Sequence, residues 1–410
     1  MMERYKEYKD SGVKWLGEIP SHWELCKIFG LFSENKRKNT AFLYKHAMQF
    51  NYGTIVDKNE CFDTEETKEI YSNYSLINKG DIVINGLNLN YDFVSQRVAI
   101  SPKNGIITSA YVVISPKVEI NTYFYCYLFK NMDNMKIFHG MGTGVRKTLS
   151  YKELRNQEVL LPPLSEQDAI VRYLDSATSE IDKAIAMQQK MIDLLNERKQ
   201  IIIQNAVTKG LDENVEMKES GVEWIGRIPK HWEVRRLRFL CDFLTGDKDT
   251  INRVDNGKYP FFVRSPQVER INSYSFDGEA ILMAGDGVGA GKVFHYYNGK
   301  FDYHQRVYNL HNFRHVDGKF LFYYLKQNFK YIIERAEAKS TVDSVRIIML
   351  KDFAVCFPSK SEQQQIVFYL DGEMQRFDTA ITNCQRQITL LQERKQIIIN
   401  EVVTGKVRVS

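Results

Sequence analysis

The sequence has no long apolar run and, for its length, few cysteines, prolines and tryptophans. No stretch of about 18 apolar residues occurs in it, so we expect no transmembrane helix. The charged N-terminus, MMERYKEYKD, lacks the apolar core of a signal peptide. The six cysteines contain no Cys-x-x-Cys pair, which argues against a zinc site or a disulfide framework. Together these absences predict a cytoplasmic protein with reduced thiols.

Motifs of catalysis are missing as well. The run AGDGVGAGKV at 284–293 fails as a P-loop, because Asp286 stands where a glycine is required and Val293 where a serine or threonine is required. An adenine methyltransferase would carry an Asp/Asn-Pro-Pro-Tyr/Phe loop, whereas the Pro-Pro pair here, Pro162–Pro163, lies between leucines. The eight histidines show no spacing typical of a zinc site. We therefore expect no catalytic residue, metal or cofactor in this chain.

The composition sets broad limits only. Hydrophobic residues make up 43% of the chain and charged residues 26%, which is ordinary for a globular protein. A chain of 410 residues is long enough for about two to four domains. The net charge of +5 permits a polyanionic partner but does not require one.

Two internal repeats dominate the sequence. SGVKWLGEIPSHWE at 11–24 recurs as SGVEWIGRIPKHWE at 220–233, and we call these segments the tryptophan repeat. A longer run begins at Ser165 and recurs without a gap from Ser361, with ERKQIII identical at 197–203 and 393–399; we call it the helix repeat. Such repeats indicate an internal duplication. The segments between them, 25–164 and 234–360, share almost no similarity.

The helix repeat predicts two long amphipathic helices. Its apolar residues recur at intervals of four and three, and no proline interrupts either copy. Each copy has about 40 residues and would be about 60 Å long. An amphipathic helix of that length needs a partner helix, which the other copy supplies. The residues expected to form the coil or to meet partners are Trp15, Trp23, Leu174, Ile181, Leu195, Ile202, Trp224, Trp232, Leu370, Phe377, Leu391 and Ile398.

The two dissimilar segments are predicted to be α+β. Short apolar runs such as DIVI at 81–84, RVAI at 97–100 and YVVI at 111–114 alternate with Gly, Asn and Pro, as strands do. The aromatic runs at 122–132 and 319–329 are more typical of helices that pack across a sheet.

Polar and basic side chains in these segments suit contacts with DNA. Cations and hydroxyls on loops bind phosphates, and amides and guanidinium groups read base edges. An ordinary solvated surface accounts equally well for any single one of these residues. The candidates are Asn85, Asn88, Asn90, Gln96, Arg97, Arg146, Lys147, Thr148, Ser150 and Tyr151 in the first segment, and Arg264, Gln267, Lys292, His304, Gln305, Arg306, Ser344 and Arg346 in the second.

This arrangement resembles the specificity subunit of type I restriction–modification enzymes over nearly the whole chain. The resemblance lies in the two tryptophan repeats, the two SEQ…ERKQIII helices and the unlike segments between them. GDIVI at 80–84, GEAIL at 278–282, AGDGVGAGKV and GVRKTLSYKEL at 144–154 also look like that family's target-recognition domains.

The resemblance implies a division of the chain into four parts. Residues 1–164 would form the first target-recognition domain with its N-terminal repeat, and 165–208 the central long helix. Residues 209–360 would form the second recognition domain, and 361–410 the C-terminal long helix. The helices would make an antiparallel coiled coil with an internal pseudo-two-fold, and each recognition domain would read one half of a split, asymmetric DNA site.

The resemblance also implies partners. These would be double-stranded DNA, two modification subunits and, in the full complex, restriction subunits, with no membrane partner. S-adenosylmethionine, ATP and Mg²⁺ would be used by the other subunits and not by this chain. Two alternatives stay open: a coiled-coil scaffold without a nucleic-acid role, and a stand-alone DNA-modifying enzyme.

Overall fold

The computed structural model describes residues 3–58, 64–337 and 344–409. It divides into two compact units, Met1–Met187 with Gln387–Ser410, and Gln188–Arg386. Each unit contains one of the dissimilar segments and a part of each long helix. The predicted class, two α/β domains together with two long helices, is confirmed. We call the domains formed by residues 25–164 and 234–360 the recognition folds, after the target-recognition domains that the resemblance implies.

The first unit is built mostly from short elements. Its strands are β1 Tyr8–Asp10, β2 Glu18–Pro20, β3 Glu24–Lys27, β4 Phe32–Glu34, β5 Met48–Asn51, β6 Thr54–Asp57, β7 Ser75–Ile77, β8 Ile82–Ile84, β9 Val98–Ile100, β10 Gly105–Ile107, β11 Val112–Pro116 and β12 Glu158–Leu161. Its helices are α1 Ile28–Leu31, α2 Glu65–Ser72, α3 Thr122–Asn134, α4 Ile137–Met141 and α5 Tyr151–Leu154, followed by the first long helix, α6 Leu164–Lys209, which continues into the second unit.

A four-stranded antiparallel sheet, in the order β4-β11-β8-β9, is the centre of the first unit. Three of its strands, β8, β9 and β11, are the apolar runs that the sequence predicted, and Ile82, Val83 and Ile84 of β8 are fully buried. The aromatic helix α3 packs against β9, as expected for the run at 122–132.

The second unit has longer strands. They are β13 Met217–Glu219, β14 Arg227–Pro229, β15 Glu233–Arg236, β16 Asp242–Thr245, β17 Tyr259–Phe262, β18 Glu269–Ile271, β19 Phe276–Ala284, β20 Phe294–Tyr303, β21 Val307–His311 and β22 Ala354–Phe357. The helices are α7 Gly318–Asn328, α8 Lys330–Glu337 and α9 Ile347–Lys351, followed by the second long helix, α10 Lys360–Val403, which ends in the first unit.

A six-stranded sheet in the order β16-β21-β19-β20-β17-β18 is the centre of the second unit. It is antiparallel except where β17 runs parallel to β20. The longest pairing is the β19–β20 hairpin, from Phe276 with Phe301 to Met283 with Phe294. The two recognition folds therefore differ in their central sheets, although a tryptophan repeat precedes and a helix repeat follows each of them.

Each dissimilar segment begins and ends at one pair of antiparallel strands. In the first unit β3, which follows the tryptophan repeat, pairs with β12, which precedes the long helix. In the second unit β15 pairs in the same way with β22. The chain thus enters and leaves each recognition fold at one place, which lets the interior diverge without moving the helix.

The tryptophan repeat holds the start of each long helix through a glutamate. Trp23 Nε1 donates to Glu166 Oε2 at 3.0 Å, and His22 Nε2 lies 2.7 Å from Glu166 Oε1. Trp232 and His231 make the same contacts with Glu362, at 3.0 and 2.8 Å. We call this arrangement the glutamate clasp. It explains why the two repeats keep both the His-Trp pair and the Ser-Glu-Gln start of the helix.

The next residue of the helix repeat ties the helix to the recognition fold. Gln167 Nε2 donates to the carbonyl of Pro162 at 2.8 Å, and its Oε1 accepts from the N–H of Asn121 at 2.9 Å. Gln363 repeats both contacts with Pro358 and Asp317, at 2.9 and 2.6 Å. Asn121 and Asp317 are the N-caps of α3 and α7, so these aromatic helices start at a position that the long helices set.

Within each unit the segments of the two long helices run in opposite directions. In the first unit Lys395 pairs with Asp182 at 2.6 Å, while Gly405, just past the end of α10, lies against Pro20 and Trp23 beside the start of α6. In the second unit Lys199 pairs with Asp378, and Gly210, just past the end of α6, lies beside Trp232. The predicted antiparallel pairing is confirmed within each unit.

The residues expected in the coil or at partner contacts differ in how deeply they are buried. Leu174, Ile181 and Leu370 are buried, and Ile202, Phe377 and Ile398 pack half-buried against the cores. Leu195 and Leu391 are half-buried. Trp23 and Trp232 are fully buried in their own units, so an outward contact with a partner is wrong for them.

The other two repeated tryptophans also pack internally. Trp224 stacks on Tyr331 and Phe353 at centroid distances of 5.5 and 5.2 Å, and Trp15 packs half-buried against the first core. The C-terminal long helix ends at Val403, and Arg408 N then donates to the carbonyl of Glu3 at 2.8 Å.

Cys26, Cys126, Cys241, Cys356 and Cys384 are free thiols, and Cys61 lies outside the described residues. Burial raises the pKa of Cys126, Cys241 and Cys356, which favours the unreactive thiol form.

The glutamate clasp predicts a pH-dependent contribution to stability. Burial alone would raise the pKa of Glu166, but the hydrogen bonds from Trp23, His22 and Tyr5 outweigh it and lower the pKa. A lowered pKa stabilises the fold above the ordinary carboxyl pKa of 4.5, and this stabilisation is lost as the pH falls. Glu166→Gln should therefore cost about 1–3 kcal/mol near neutral pH and less in acid.

The measurement is urea unfolding at a neutral and an acid pH, with Glu180→Gln, an exposed residue of the same helix, as the matched control. A Glu166→Gln protein whose stability follows the same pH profile as the wild type would show that the clasp does not contribute.

Candidate nucleic-acid interface

Two loops of the first unit, 85–97 and 142–150, are bonded into one surface. Leu149 N donates to the carbonyl of Gly86 at 2.9 Å, and Leu89 N donates to the carbonyl of Lys147 at 3.0 Å. A Cβ on Gly86 would lie 2.1 Å from the Leu149 oxygen, so this approach requires glycine. Candidates that are about 50 residues apart in the sequence are thereby brought together.

The loop candidates of the first unit fall into two groups. Asn88, Arg146, Lys147 and Thr148 are exposed. The other side chains are bonded within the fold: Gln96 bonds Asp133 at 2.7 Å, Asn90 bonds the carbonyl of Val145 at 3.3 Å, Asn85 accepts from Leu87 N at 3.2 Å, Ser150, although exposed, caps α5, and Tyr151 donates to the carbonyl of Phe32 at 2.7 Å. The exposed group is the part that can reach DNA directly.

Arg97 was predicted to read base edges, and the structure corrects this. Its side chain is 2% exposed and lies beneath the loop, where its guanidinium group donates to backbone carbonyls. The sequence could not distinguish this arginine from an exposed one, because it follows a loop and opens a strand, as surface arginines also do.

In the second unit two of the candidates pair with one carboxylate. Asp286, in the β19–β20 hairpin loop, lies 3.1 Å from Arg264 Nη1 and 3.6 Å from Arg306 Nε. Both arginines are exposed, and so is Lys292 on the same loop. Gln305 donates to Asp249 at 3.1 Å, and Gln267 is exposed on the loop after Arg264. Asp286 is not among the residues predicted from the sequence. Cations, amides and hydroxyls suit contacts with DNA, whereas this carboxylate acts by pairing with two of those cations.

His304 was also expected to read bases, and it is buried, with 2% exposed. Its Nδ1 accepts from the N–H of Arg306 at 2.9 Å. Burial, and then the nearby charge of Arg264, lower the pKa of His304. The neutral ring can keep this acceptor role, so His304 shapes the turn that presents Arg306.

The two interfaces share a backbone scaffold. In the second unit Val345 N donates to the carbonyl of Gly285 at 2.8 Å, as Leu149 N does to Gly86 in the first. The pairing of Leu149 with Val345 is also the one that follows from extending the helix repeat backwards. Ser150 and Arg346 are the N-caps of the short helices α5 and α9. The backbone of Ser344 forms an isolated antiparallel β-bridge with that of Asp286.

The glycine-rich run 284–293 is a hairpin loop. It connects β19 to β20, so a strand and not a helix follows it. The helix N-terminus that would bind a phosphate in a P-loop is therefore replaced by a strand.

Apolar side chains at the loop tips were missed by the sequence analysis. Val94, Val145 and Val288 are 95%, 94% and 90% exposed, and Ile251 is 87% exposed. Each lies in a loop that also carries, or adjoins, the candidate polar residues. Apolar contacts with the thymine methyl group are a regular part of base recognition, and a search limited to hydrogen-bonding residues overlooks them.

Within the described ranges, no group of three or more His, Cys, Asp or Glu side chains is placed to hold a metal ion. Nor does any helix in that part of the chain have the length and apolar character to cross a membrane.

Comparison with known proteins assigns the family. A family model described as the type I restriction modification DNA specificity domain matches residues 20–190 and 229–392, which is most of the chain and includes both loop surfaces. The chain belongs to the type I restriction–modification DNA specificity family. The resemblance drawn from the two repeats is thereby confirmed.

Members of this specificity family are similar to the chain over different lengths. The type I restriction enzyme EcoDI specificity subunit of Escherichia coli is 32% identical over 182 residues, which are 44% of this chain and 40% of that subunit. The type I restriction enzyme MjaVIII specificity subunit of Methanocaldococcus jannaschii is 25% identical over 438 residues, covering 100% of this chain and 98% of that subunit.

Solved structures of the specificity family share the fold. A chain from a study of complex assembly and conformational transition of the type I R-M system has a TM-score of 0.72 at 15% identity, covering 94% of this chain and 98% of that one. The HsdS subunit of Thermoanaerobacter tengcongensis has a TM-score of 0.51 at 16% identity, covering 97% of this chain and 100% of that one.

The exposed position of Arg146 predicts a phosphate contact. Arg146→Ala should weaken DNA binding by the assembled complex about equally for all sequences, and should reduce the slope of log affinity against log salt by about one. The measurement is a titration series over salt concentration. Lys103→Ala, which removes an exposed lysine paired with Asp57, is the matched control and should leave the slope unchanged. An unchanged slope for Arg146→Ala would remove the assignment.

Proposed function

We infer that this chain is the sequence-recognition subunit of a type I restriction–modification complex and reads DNA through its two loop surfaces. The observation that supports this most directly is the repeated scaffold. Both units bond a glycine that follows a central strand to the residue two places before a short helix, and both present exposed cations beside that contact. Cations fix a protein on the phosphate backbone, and neighbouring side chains then read base edges.

The DNA site is bipartite and asymmetric. The first surface exposes Asn88, Arg146, Lys147 and Thr148, whereas the second exposes Lys292 together with Arg264 and Arg306, which pair with Asp286. Side chains of such different chemistry select different bases. One continuous palindrome is therefore not the expected target.

The long helices carry the surfaces for the modification subunits. Leu194 and Ile201 are 49% and 52% exposed in the second unit, and Leu390 and Ile397, their counterparts in the helix repeat, are 48% and 55% exposed in the first. Arg198 and Arg394 lie between them in sequence and are exposed as well. We call each set of Leu, Arg and Ile a helix patch.

Exposed leucine and isoleucine on a helix indicate a protein contact when the same set recurs. The helix patch of α6, with Leu194, Arg198 and Ile201, also borders a groove of about 880 Å³ in the second unit, lined by Ile201, Leu211, Ile225 and Tyr369 among others. Two equal patches suit two copies of one partner. Restriction subunits would join through the modification subunits.

The chemistry belongs to those other subunits. S-adenosylmethionine, ATP and Mg²⁺ would be bound by them, and this chain would contribute recognition without a catalytic group. Support comes from the family description, which names DNA specificity, and from the loop surfaces, whose exposed side chains are amides, hydroxyls and cations suited to binding.

Exchange of one recognition fold tests the function. Replacing residues 25–164 by the equivalent segment of another family member should change one half-site and leave the other unchanged, because β3 and β12 close that fold at a single place. Adenine-methylation mapping in cells that carry the cognate modification subunit reads out both halves. A change in both half-sites, or no methylation that depends on this chain, would contradict the proposal.

The helix patches predict a change in stoichiometry. Leu194→Asp and Leu390→Asp should each reduce the number of bound modification subunits from two to one, and the double variant should bind none. The mass of the purified complex measures this directly. Lys183→Asp, an exposed position of the same helix, is the control. Full assembly of the double variant would place the partner surface elsewhere.

A further inference from the structure

The buried arginine of the first unit organises the loop above it. Arg97 Nη1 donates to the carbonyl of Leu87 at 2.7 Å and to that of Asn85 at 3.2 Å. Its Nη2 donates to the carbonyl of Asp92 at 2.7 Å and to that of Asn88 at 3.4 Å. One guanidinium group thus holds four backbone positions of a loop whose Asn88 is exposed.

These contacts make the loop conformation depend on an arginine in particular. A buried cation is stable only when acceptors surround it, and buried carbonyls need donors in turn. The guanidinium group supplies five donors in a fixed plane, whereas a lysine supplies three donors from one point. A lysine at this position keeps the charge but cannot reach four carbonyls arranged on two sides.

The arginine is itself held from below. Asp133, at the end of α3, accepts from Arg97 N and from Gln96 Nε2, both at 2.7 Å. Its neighbour Asn131 donates to Asn400 of the second long helix at 3.0 Å, inside the same unit. The loop is therefore anchored to the rigid part of the unit and not only to its own strands.

The far end of the loop is fixed by a second carboxylate. Asp92 Oδ1 accepts from the N–H groups of Val94 and Ser95, at 3.0 and 2.9 Å, and Asp92 Oδ2 lies 3.8 Å from Arg97 Nη2. The hydrogen bond from Ser95 is the largest of the effects that lower the pKa of Asp92 to about 2. Asp92 is consequently ionised at working pH, beside a surface that meets a polyanion.

We propose that Arg97 is a positioning residue that sets base discrimination at the first half-site by shaping the loop 85–95, without touching DNA. The proposal rests on the function inferred above and adds a role for a residue that the DNA cannot reach. An arginine contributes both a positive charge and a fixed geometry of hydrogen-bond donors. A lysine preserves the charge but not the geometry of the donors, so the two effects can be separated.

The test compares Arg97→Lys and Arg97→Ala with the wild type in the assembled complex. Binding is measured to the mapped site, to sites with single changes in each half, and over a series of salt concentrations. Both variants should lose discrimination at the first half-site by about tenfold or more, the amount that a good base contact supplies. Discrimination at the second half-site and the salt slope should stay as in the wild type. Arg37→Lys, an exposed arginine of the same unit, is the matched control.

A second variant keeps the test decisive if a change at the buried position prevents folding. Asp92 is 41% exposed at its side chain, so its replacement is tolerated more easily. Removal of a negative charge near DNA should strengthen binding if charge alone matters. Asp92→Ala should instead lower discrimination at the first half-site, and Asp92→Asn, which keeps the Oδ1 acceptor, should restore most of it.

Three results would overturn the inference while leaving the proposed function intact. One is normal discrimination by Arg97→Lys, and another is a salt slope reduced by about one in Arg97→Ala, which would indicate a phosphate contact. The third is Asp92→Ala that binds more tightly with full discrimination. A wild-type complex that shows no sequence preference would instead contradict the proposed function itself.

Discussion

In the first unit, the carboxylate of Glu166 takes hydrogen bonds from the indole of Trp23, the ring of His22 and the hydroxyl of Tyr5. The glutamate lies in the first turn of the long helix, where the backbone N–H groups favour negative charge. One charged side chain therefore joins the tryptophan repeat to the start of the helix, and Gly405, just past the end of the other long helix, packs against the same tryptophan. Glu362 accepts from Trp232 and contacts His231 in the second unit, so each unit has its own glutamate clasp.

The clasp also explains which parts of the molecule are free to differ. Gln167 and Gln363 carry the constraint one step further, to the N-caps of α3 and α7, and the paired strands β3–β12 and β15–β22 close each fold. Between those points the first unit forms a four-stranded sheet and the second a six-stranded sheet, and both begin and end at the same kind of strand pair. Divergent interiors therefore present their loops from equivalent backbone positions.

The two loop surfaces solve one physical problem differently. Loops that contact DNA need a defined shape, although their tips are exposed and polar. The first unit places Arg97 beneath the loop as a buried set of donors, while the second places Asp286 on the surface between Arg264 and Arg306. In the second unit the carboxylate limits the freedom of two exposed arginines, which reduces the entropy that they lose on binding. In the first unit the buried guanidinium group holds the backbone of the loop instead.

The sequence by itself determined the duplication, the two long helices and the family, because repeated segments and apolar residues at intervals of four and three can be read directly from the order of residues. It also located three strands of the first central sheet, β8, β9 and β11, and the aromatic helices α3 and α7, since local apolar runs bounded by turn residues specify them. Tertiary structure alone decided which side chains are exposed. Arg97 and His304 are residue types that often contact DNA, yet both are buried. Trp23 and Trp232 are buried in the glutamate clasp and do not face a partner. Asp286 has its role only because two arginines distant in sequence lie beside it. Burial and the meeting of remote groups depend on how the chain folds back on itself, which residue type and spacing do not encode.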